Sequence, residues 1–390
     1  MKKYIIFIFL TIIGLFTLLV GAVAQESTSV NNSTIWKELT KVSDKTDKFN
    51  LFLNMNGSLD ALDDGNFTSR FYMRQLRIEA KGQLTDRISY RYRQRLNRGN
   101  DGSSNIDNMP NSIDIAGIGI NLSNNLSMFA GKQCAVYGGM EFDLNPIEIY
   151  EYSDMVEYMS NFLTGVNFSY QASAISQFQF QILDGRNGDF ISTYGDNLTD
   201  TKVPMLFTLN WNGNFNNIFK TRWSASVMNE SKNRQMYYFA LGNELKLSKF
   251  DGWFDAMYSR EGLDRKGIIT NMVGTTNGHN AYDAEYLSFV LHLGYRFSPC
   301  WNVFVKGMYE TASLSSSDNI THMGYVADGK YRTSYGYYTG LEYYPMDNSG
   351  LHFFLTYVGR AYDYTNLSAV NDMHDSNRVS CGLIWQIPLF

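Results

Sequence analysis

Cysteine is scarce in this chain. Cys134, Cys300 and Cys381 are the only three in 390 residues, an odd number at wide spacing, which is no disulfide framework. No cluster of cysteine and histidine has the spacing of a metal centre, and no cofactor is expected. Proline is rare too, at six, as suits a chain committed to hydrogen-bonded strands. There is no basic excess: the formal charge is −5, which disfavours nucleic acid as a partner. Past residue 25 no stretch approaches the ~20 consecutive apolar residues of a spanning helix.

The start of the chain differs from the rest. Lys2 and Lys3 precede an almost wholly apolar run from Tyr4 to Val20, and Ala22-Val23-Ala24 puts small residues before Gln25. This is the order of a secretory signal, so residues 1–24 are expected to be a signal peptide cleaved near Ala24/Gln25. Residues 25–48 are polar and show no period of two. They read as a periplasmic N-terminal extension, with one short helix near Ile35 to Val42.

Aromatic residues are abundant, with 27 Tyr and 26 Phe. Many fall on one side of a strict alternation. Leu287, Phe289, Leu291, Leu293, Tyr295 and Phe297 share one parity, while Ser288, His292, Gly294 and Arg296 share the other. Phe178, Phe180 and Ile182 oppose Gln177, Gln179 and Gln181. Leu351, Phe353, Leu355 and Tyr357 oppose His352, Thr356 and Arg360. A period of two with one apolar face means a strand with one dry side. About 16 such strands run from 49–57 to 376–390.

The connections alternate. Tight turns at Ser123 to Asn125, Gln171 to Ala174, Ser248 to Phe250 and Ser298-Pro299 are interleaved with long polar stretches at 97–111, 135–161, 184–203, 261–282 and 313–331. An exported chain without a spanning helix can cross a membrane only as a closed barrel, because hydrocarbon offers the backbone no hydrogen-bond partner. The expected fold is therefore all-β: a transmembrane antiparallel β-barrel over residues 49–390, with short periplasmic turns and long extracellular loops. The apolar face would meet outer-membrane lipid and the polar face a lumen.

The run Phe71-Tyr72-Met73-Arg74-Gln75-Leu76-Arg77-Ile78-Glu79-Ala80-Lys81-Gly82-Gln83-Leu84-Thr85-Asp86-Arg87-Ile88-Ser89-Tyr90 is an arginine-rich strand, a turn and a following strand. Gly131-Lys132 and Gly139-Met140-Glu141 mark a strand end and the loop after it, and Phe390 is a terminal aromatic. In these features the chain resembles the phosphate-selective porin O/P family in its Bacteroidota form. The resemblance implies a 16-stranded porin, a homotrimer, and a pore narrowed by an infolded loop. Two features depart from it. Phe390 is out of phase with Leu383, Trp385 and Ile387, which asks for a kink near Pro388 or an irregular end. The 135–161 loop is acidic, with Glu141, Asp143, Glu148 and Glu151 as its constriction residues.

Selectivity is expected in the first arginine-rich hairpin. A turn centred near Leu84 pairs residue 77 with 91 and 75 with 93. Arg77, Glu79 and Lys81 then share the lumen with Arg87, Arg91, Arg93 and Arg95, since arginine facing lipid near the midplane costs about 2–4 kcal/mol. Like charges across a ladder repel, so this placement needs a compensating partner. Lys132, Arg296, Lys306 and Arg360 are further pore-lining and anion-binding candidates; Arg222 and Lys246 have the same character. Two readings stand side by side: guidance of anions, or plain charge balance with Glu79, Glu244, Asp255, Glu310 and Glu342. Tyr338, Phe304 and Phe354 have lumen parity, either as a sugar-stacking slide or as packing under loops. His292 and His352 face inward, but no catalytic signature accompanies them, so no enzyme is expected. The function read from the sequence is passive diffusion of small hydrophilic solutes or anions through a water-filled pore. The alternative is a plugged structural or adhesive barrel that binds partners through its loops.

Overall fold

The computed structural model describes residues 48–389, apart from 100–106, 108, 187, 275–277, 317–318, 322–323, 347–349 and 371–372. The expected signal peptide, the N-terminal extension with its helix, and Phe390 lie outside the described residues. Sixteen strands close into one antiparallel barrel. In chain order they are β1 (Asn50–Asp63), β2 (Phe67–Thr85), β3 (Ile88–Arg95), β4 (Ile113–Asn121), β5 (Leu126–Cys134), β6 (Phe162–Ser173), β7 (Ser176–Asp184) and β8 (Met205–Phe215). There follow β9 (Phe219–Ser231), β10 (Arg234–Lys246), β11 (Phe250–Leu263), β12 (Tyr282–Ser298), β13 (Trp301–Leu314), β14 (Gly329–Tyr343), β15 (His352–Tyr364) and β16 (Ser376–Pro388).

Each strand pairs with its sequence neighbours, and β1 pairs with β16 from Phe52↔Pro388 to Asp63↔Asn377. No sheet edge is left, which is what lipid demands of a spanning sheet. The ladder reaches Pro388 without a register shift, and the phase of Phe390 lies outside the described residues. At one end the connections are short, such as Asp86-Arg87 between β2 and β3. The β8–β9 turn bends through Asn216 and Asn217, both at positive φ, a conformation asparagine tolerates better than most residues. The other end carries long loops, except for the short links Asp64–Asn66 and Lys232-Asn233.

Alternation sorts the faces as expected. Asn54, Gln179, Thr208, Asn212 and Ser288 are buried inside the barrel, while Ile118, Phe178, Phe239 and Leu355 are exposed outside. A band of Tyr170, Trp211, Trp223, Tyr295, Trp301 and Tyr343 rings the turn end of the outer face. Trp211 and Trp223 meet edge to face at 5.0 Å, and Trp301 and Tyr343 lie 4.7 Å apart. Such girdles sit where hydrocarbon gives way to headgroups.

The hairpin of β2 and β3 corrects the expected register. Its turn is at Asp86-Arg87, and a bulge lies between Gln83 and Thr85. Arg77 therefore faces Arg95, Glu79 faces Arg93 and Lys81 faces Arg91. Parity is unchanged, because the shift is by an even number of residues, but Arg87 moves out of the wall into the turn. The physical reason is the turn itself, which sits at Asp86-Arg87 and not at Leu84; the one-residue bulge between Gln83 and Thr85 then absorbs the odd residue, so that the pairing above it keeps the expected parity.

The outer face yields a direct check. Leu209, mid-strand in β8, is 62% exposed on the isolated barrel. Leu209→Arg should lower the unfolding free energy in lipid vesicles by about 2–4 kcal/mol. An unchanged guanidinium midpoint would contradict the assignment of that face to lipid.

Candidate functional site

The interior is shaped by the loop between β5 and β6, residues 135–161, which turns into the barrel. It carries a 3-10 turn (Pro146–Glu148) and a one-turn helix α1 (Asp154–Glu157). Carboxylates of the wall hold its backbone. Asp255 on β11 accepts the N–H of Met140 at 2.7 Å and of Glu141 at 2.9 Å. Glu310 on β13 accepts the N–H of Asp154 at 3.0 Å and of Met155 at 3.2 Å. The loop returns charge to the wall: Glu141 pairs with Lys306, and Asp154 pairs with both Arg332 and Arg360. Each of these buried N–H groups and charges thus has a partner, the condition under which burying it is tolerable.

Apolar packing completes the hold. Tyr137, Met140, Met155 and Met159 of the loop cluster with wall residues Tyr238, Trp253, Met257 and Met308. The same cluster takes in Ile268, Ile269 and Met272 from a short helix α3 (Ile268–Val273), which follows α2 (Phe190–Tyr194) in chain order. Asp264, at the start of that extracellular loop, accepts from Tyr286, Thr270 and Gly267. Burial, and then Glu261, hold its carboxyl above the ordinary value. On the turn side of the loop, Tyr150 stacks on Phe304 at 5.0 Å and meets Phe354 at 4.9 Å and Tyr338 at 5.9 Å. The three lumen aromatics are therefore packing under the loop and not a free slide.

The loop fills the side of the lumen against β10–β16 and leaves a cavity of about 1920 Å³ along β2–β7. Space exists there because inward side chains are missing. Gly117, Gly119, Gly131 and Gly165 occupy lumen positions of β4, β5 and β6. At Gly131 the backbone has φ +129°, and a Cβ would strike the Ala116 carbonyl, so only glycine suits the site. The lining holds ten basic side chains and five acidic ones, a positive balance despite the chain's negative total.

The basic wall is organised by Asp114 on β4. Its Oδ1 lies 2.7 Å from Arg95 Nε, and its Oδ2 lies 3.2 Å from Arg77 Nε and 3.3 Å from Arg93 Nε. Below them Arg91 Nε pairs with Glu79 at 2.8 Å. Phe162 lies under the guanidinium groups of Arg95 and Arg93 at 5.3 and 5.5 Å. This relieves the repulsion that the sequence left without an account: Arg77 and Arg95, directly opposed, share one carboxylate. Sequence reasoning passed over Asp114. Its one signal was an acid in a strand otherwise made of Ile, Ala and Gly, Ile113-Asp114-Ile115-Ala116-Gly117-Ile118.

The sequence candidates divide. Arg77, Arg91, Arg93, Arg95 and Lys132 border the cavity, with Lys132 held by Asp107 at 3.2 Å. Lys306 is wholly buried under the loop, Arg360 joins Asp154 and Glu310 there, and Arg296 lies over Tyr344 near the turn end. Of the loop acids, Glu141, Asp143, Glu151 and Glu157 border the cavity, and the first three have basic partners: Lys306, Arg222 and Arg378. Glu148 lies in the 3-10 turn, away from the cavity lining. His292 stacks on Trp253 and His352 on Tyr344, as parts of the wall. The three cysteines are free.

Comparison with known proteins points one way. The sequence model of the family described as phosphate-selective porin O and P matches residues 49–387. No curated protein matches the chain. Among solved structures, the outer membrane channel DcaP of Acinetobacter baumannii is similar with a TM-score of 0.60 at 11% identity, covering 88% of this chain and 99% of that one. OmpT of Vibrio cholerae, an outer membrane protein solved in a trimer form, gives 0.52 at 11% identity over 87% and 99%. An anion-selective porin from Comamonas acidovorans gives 0.54 at 7% identity over 87% and 99%. At these identities the likeness is one of fold.

Removing the Asp255 carboxylate would orphan two buried N–H groups, at about 1–3 kcal/mol each. Asp255→Ala is therefore expected to loosen the loop, seen as faster proteolysis within 135–161 and a noisier single-channel current. Protection equal to that of the unaltered protein would contradict the latch.

Proposed function

The chain belongs to the phosphate-selective porin O and P family and forms an outer-membrane channel, and we propose that this channel prefers small anions. The observation that carries the reading is the sharing of Asp114. Three guanidinium groups meet one carboxylate, Arg91 meets Glu79, and Lys81 lies over the Phe52 ring. Within this cluster five cations, Arg77, Lys81, Arg91, Arg93 and Arg95, stand against the two carboxylates of Glu79 and Asp114, an excess of three. The buried Nη1 of Arg77 has no hydrogen-bond partner among the described residues, and such a donor is costly unless water or an anion fills the place. A low-dielectric wall with excess charge of one sign concentrates the opposite ion.

The acidic loop does not cancel this field. Glu141, Asp143 and Glu151 are spent on Lys306, Arg222 and Arg378, and Glu157, the other loop acid on the cavity, is one charge against the larger excess of the wall. Arg77, Arg91, Arg93 and Arg95 are the proposed contacts for a passing anion, through charge-assisted hydrogen bonds, with Lys132 beside them. The loop sets the size limit. Family and fold are those of a channel and not of an enzyme: solutes cross down their gradient with no bond made or broken. A cleaved signal at residues 1–24, a periplasmic stretch at 25–48 and a homotrimeric assembly complete the proposal; the trimer is supported by likeness to a protein solved in that form.

Reversal potential in a planar bilayer across a KCl gradient tests the reading, with an anion-selective sign expected. Replacing Arg77, Arg93 and Arg95 with Glu should turn the sign, and Asp114→Asn should strengthen anion preference. A cation-selective current from the unaltered protein would refute the proposal.

A further inference from the structure

Beside Arg91 the lumen wall holds an apolar plate that charge selection alone does not need. Phe129 on β5 pairs with Gly119 on β4, and its ring leans over Gly117, where a Cβ would come within 2.5 Å of the ring Cε1. The ring thus occupies volume that only a glycine at 117 leaves free. Gly117 in turn faces Arg91 across the β3–β4 ladder. Ring and guanidinium share one trough, and both border the cavity. Phe129 is only half-buried. The Arg91 side chain is 39% exposed, while its partner Glu79 is 5% exposed. Glu79 holds the Nε edge of Arg91, so the outer edge of the fork, its two Nη groups, is turned to the channel.

From this we propose a binding site for aromatic carboxylates: the carboxylate on the Nη edge of Arg91, the ring against Phe129. The inference rests on the anion-preferring reading above and adds a substrate class to it. A planar carboxylate matches the planar guanidinium fork, and a flat apolar ring gains offset or edge-to-face contact with Phe129. A polyhydroxylated carboxylate of the same charge would keep the first contact. It would lose the second, because its hydroxyls would be stripped of water over an apolar ring.

The experiment uses the mature protein in a planar bilayer carrying KCl current, with potassium benzoate and potassium gluconate added in turn. Benzoate should halve the chloride current at a concentration about three- to tenfold below that of gluconate, the scale of one aromatic contact. Phe129→Ser should bring the ratio of the two close to one. Phe129→Leu keeps apolar bulk without the flat ring, and should lower the ratio by an independent route if Phe129→Ser fails to fold. Arg91→Gln should weaken block by both acids. Equal block by benzoate and gluconate in an anion-selective channel would overturn the aromatic site and leave the anion reading standing, as would a ratio that survives both Phe129→Ser and Phe129→Leu. A cation-selective KCl current would overturn both.

Discussion

A backbone N–H in hydrocarbon finds no water, and most of this chain's architecture follows from that. Each barrel strand must give its hydrogen bonds to two neighbours, so β1 must meet β16 and the sheet must close. Closure fixes which parity faces lipid and which faces inward. It also creates an interior too wide for wall side chains to fill. The loop at 135–161 meets the same requirement in a different place. Its backbone is buried inside the barrel, and there Asp255 and Glu310 act as the acceptors that a sheet would otherwise supply.

That latch makes the lumen lopsided. One side holds a methionine-rich core with paired charges beneath it. The other keeps its space because glycines stand where side chains would project. Charge is divided along the same line. Basic residues under the loop are consumed by its carboxylates, whereas those on β2 and β3 outnumber theirs. A net charge of −5 over the whole chain therefore says little about the sign of the field a solute meets.

Much of the barrel was legible because alternation is a local signal repeated sixteen times. The faces of Leu287 to Phe297, or of Phe178 to Ile182, follow from parity alone. Parity also placed Arg77, Arg91, Arg93 and Arg95 inward despite a wrong hairpin centre, since the observed register differs from the expected one by an even number of residues. What parity cannot give is distance across the lumen. Lys306 and Arg360 were inward as expected, yet their partners Glu141 and Asp154 come from a loop about 150 to 200 residues away in sequence, and nothing local records that pairing. Asp114 was missed for a related reason. A single acid on a glycine-rich strand looks minor until three arginines from two other strands converge on it.

The central claim is that the infolded loop confines solutes to the arginine-lined side. Single-channel conductance of a barrel in which residues 140–157 are replaced by a short glycine–serine link tests it most directly. Conductance should rise several-fold and ion preference should weaken, because the far half of the lumen would open to water. Conductance and selectivity equal to those of the unaltered channel would contradict the account.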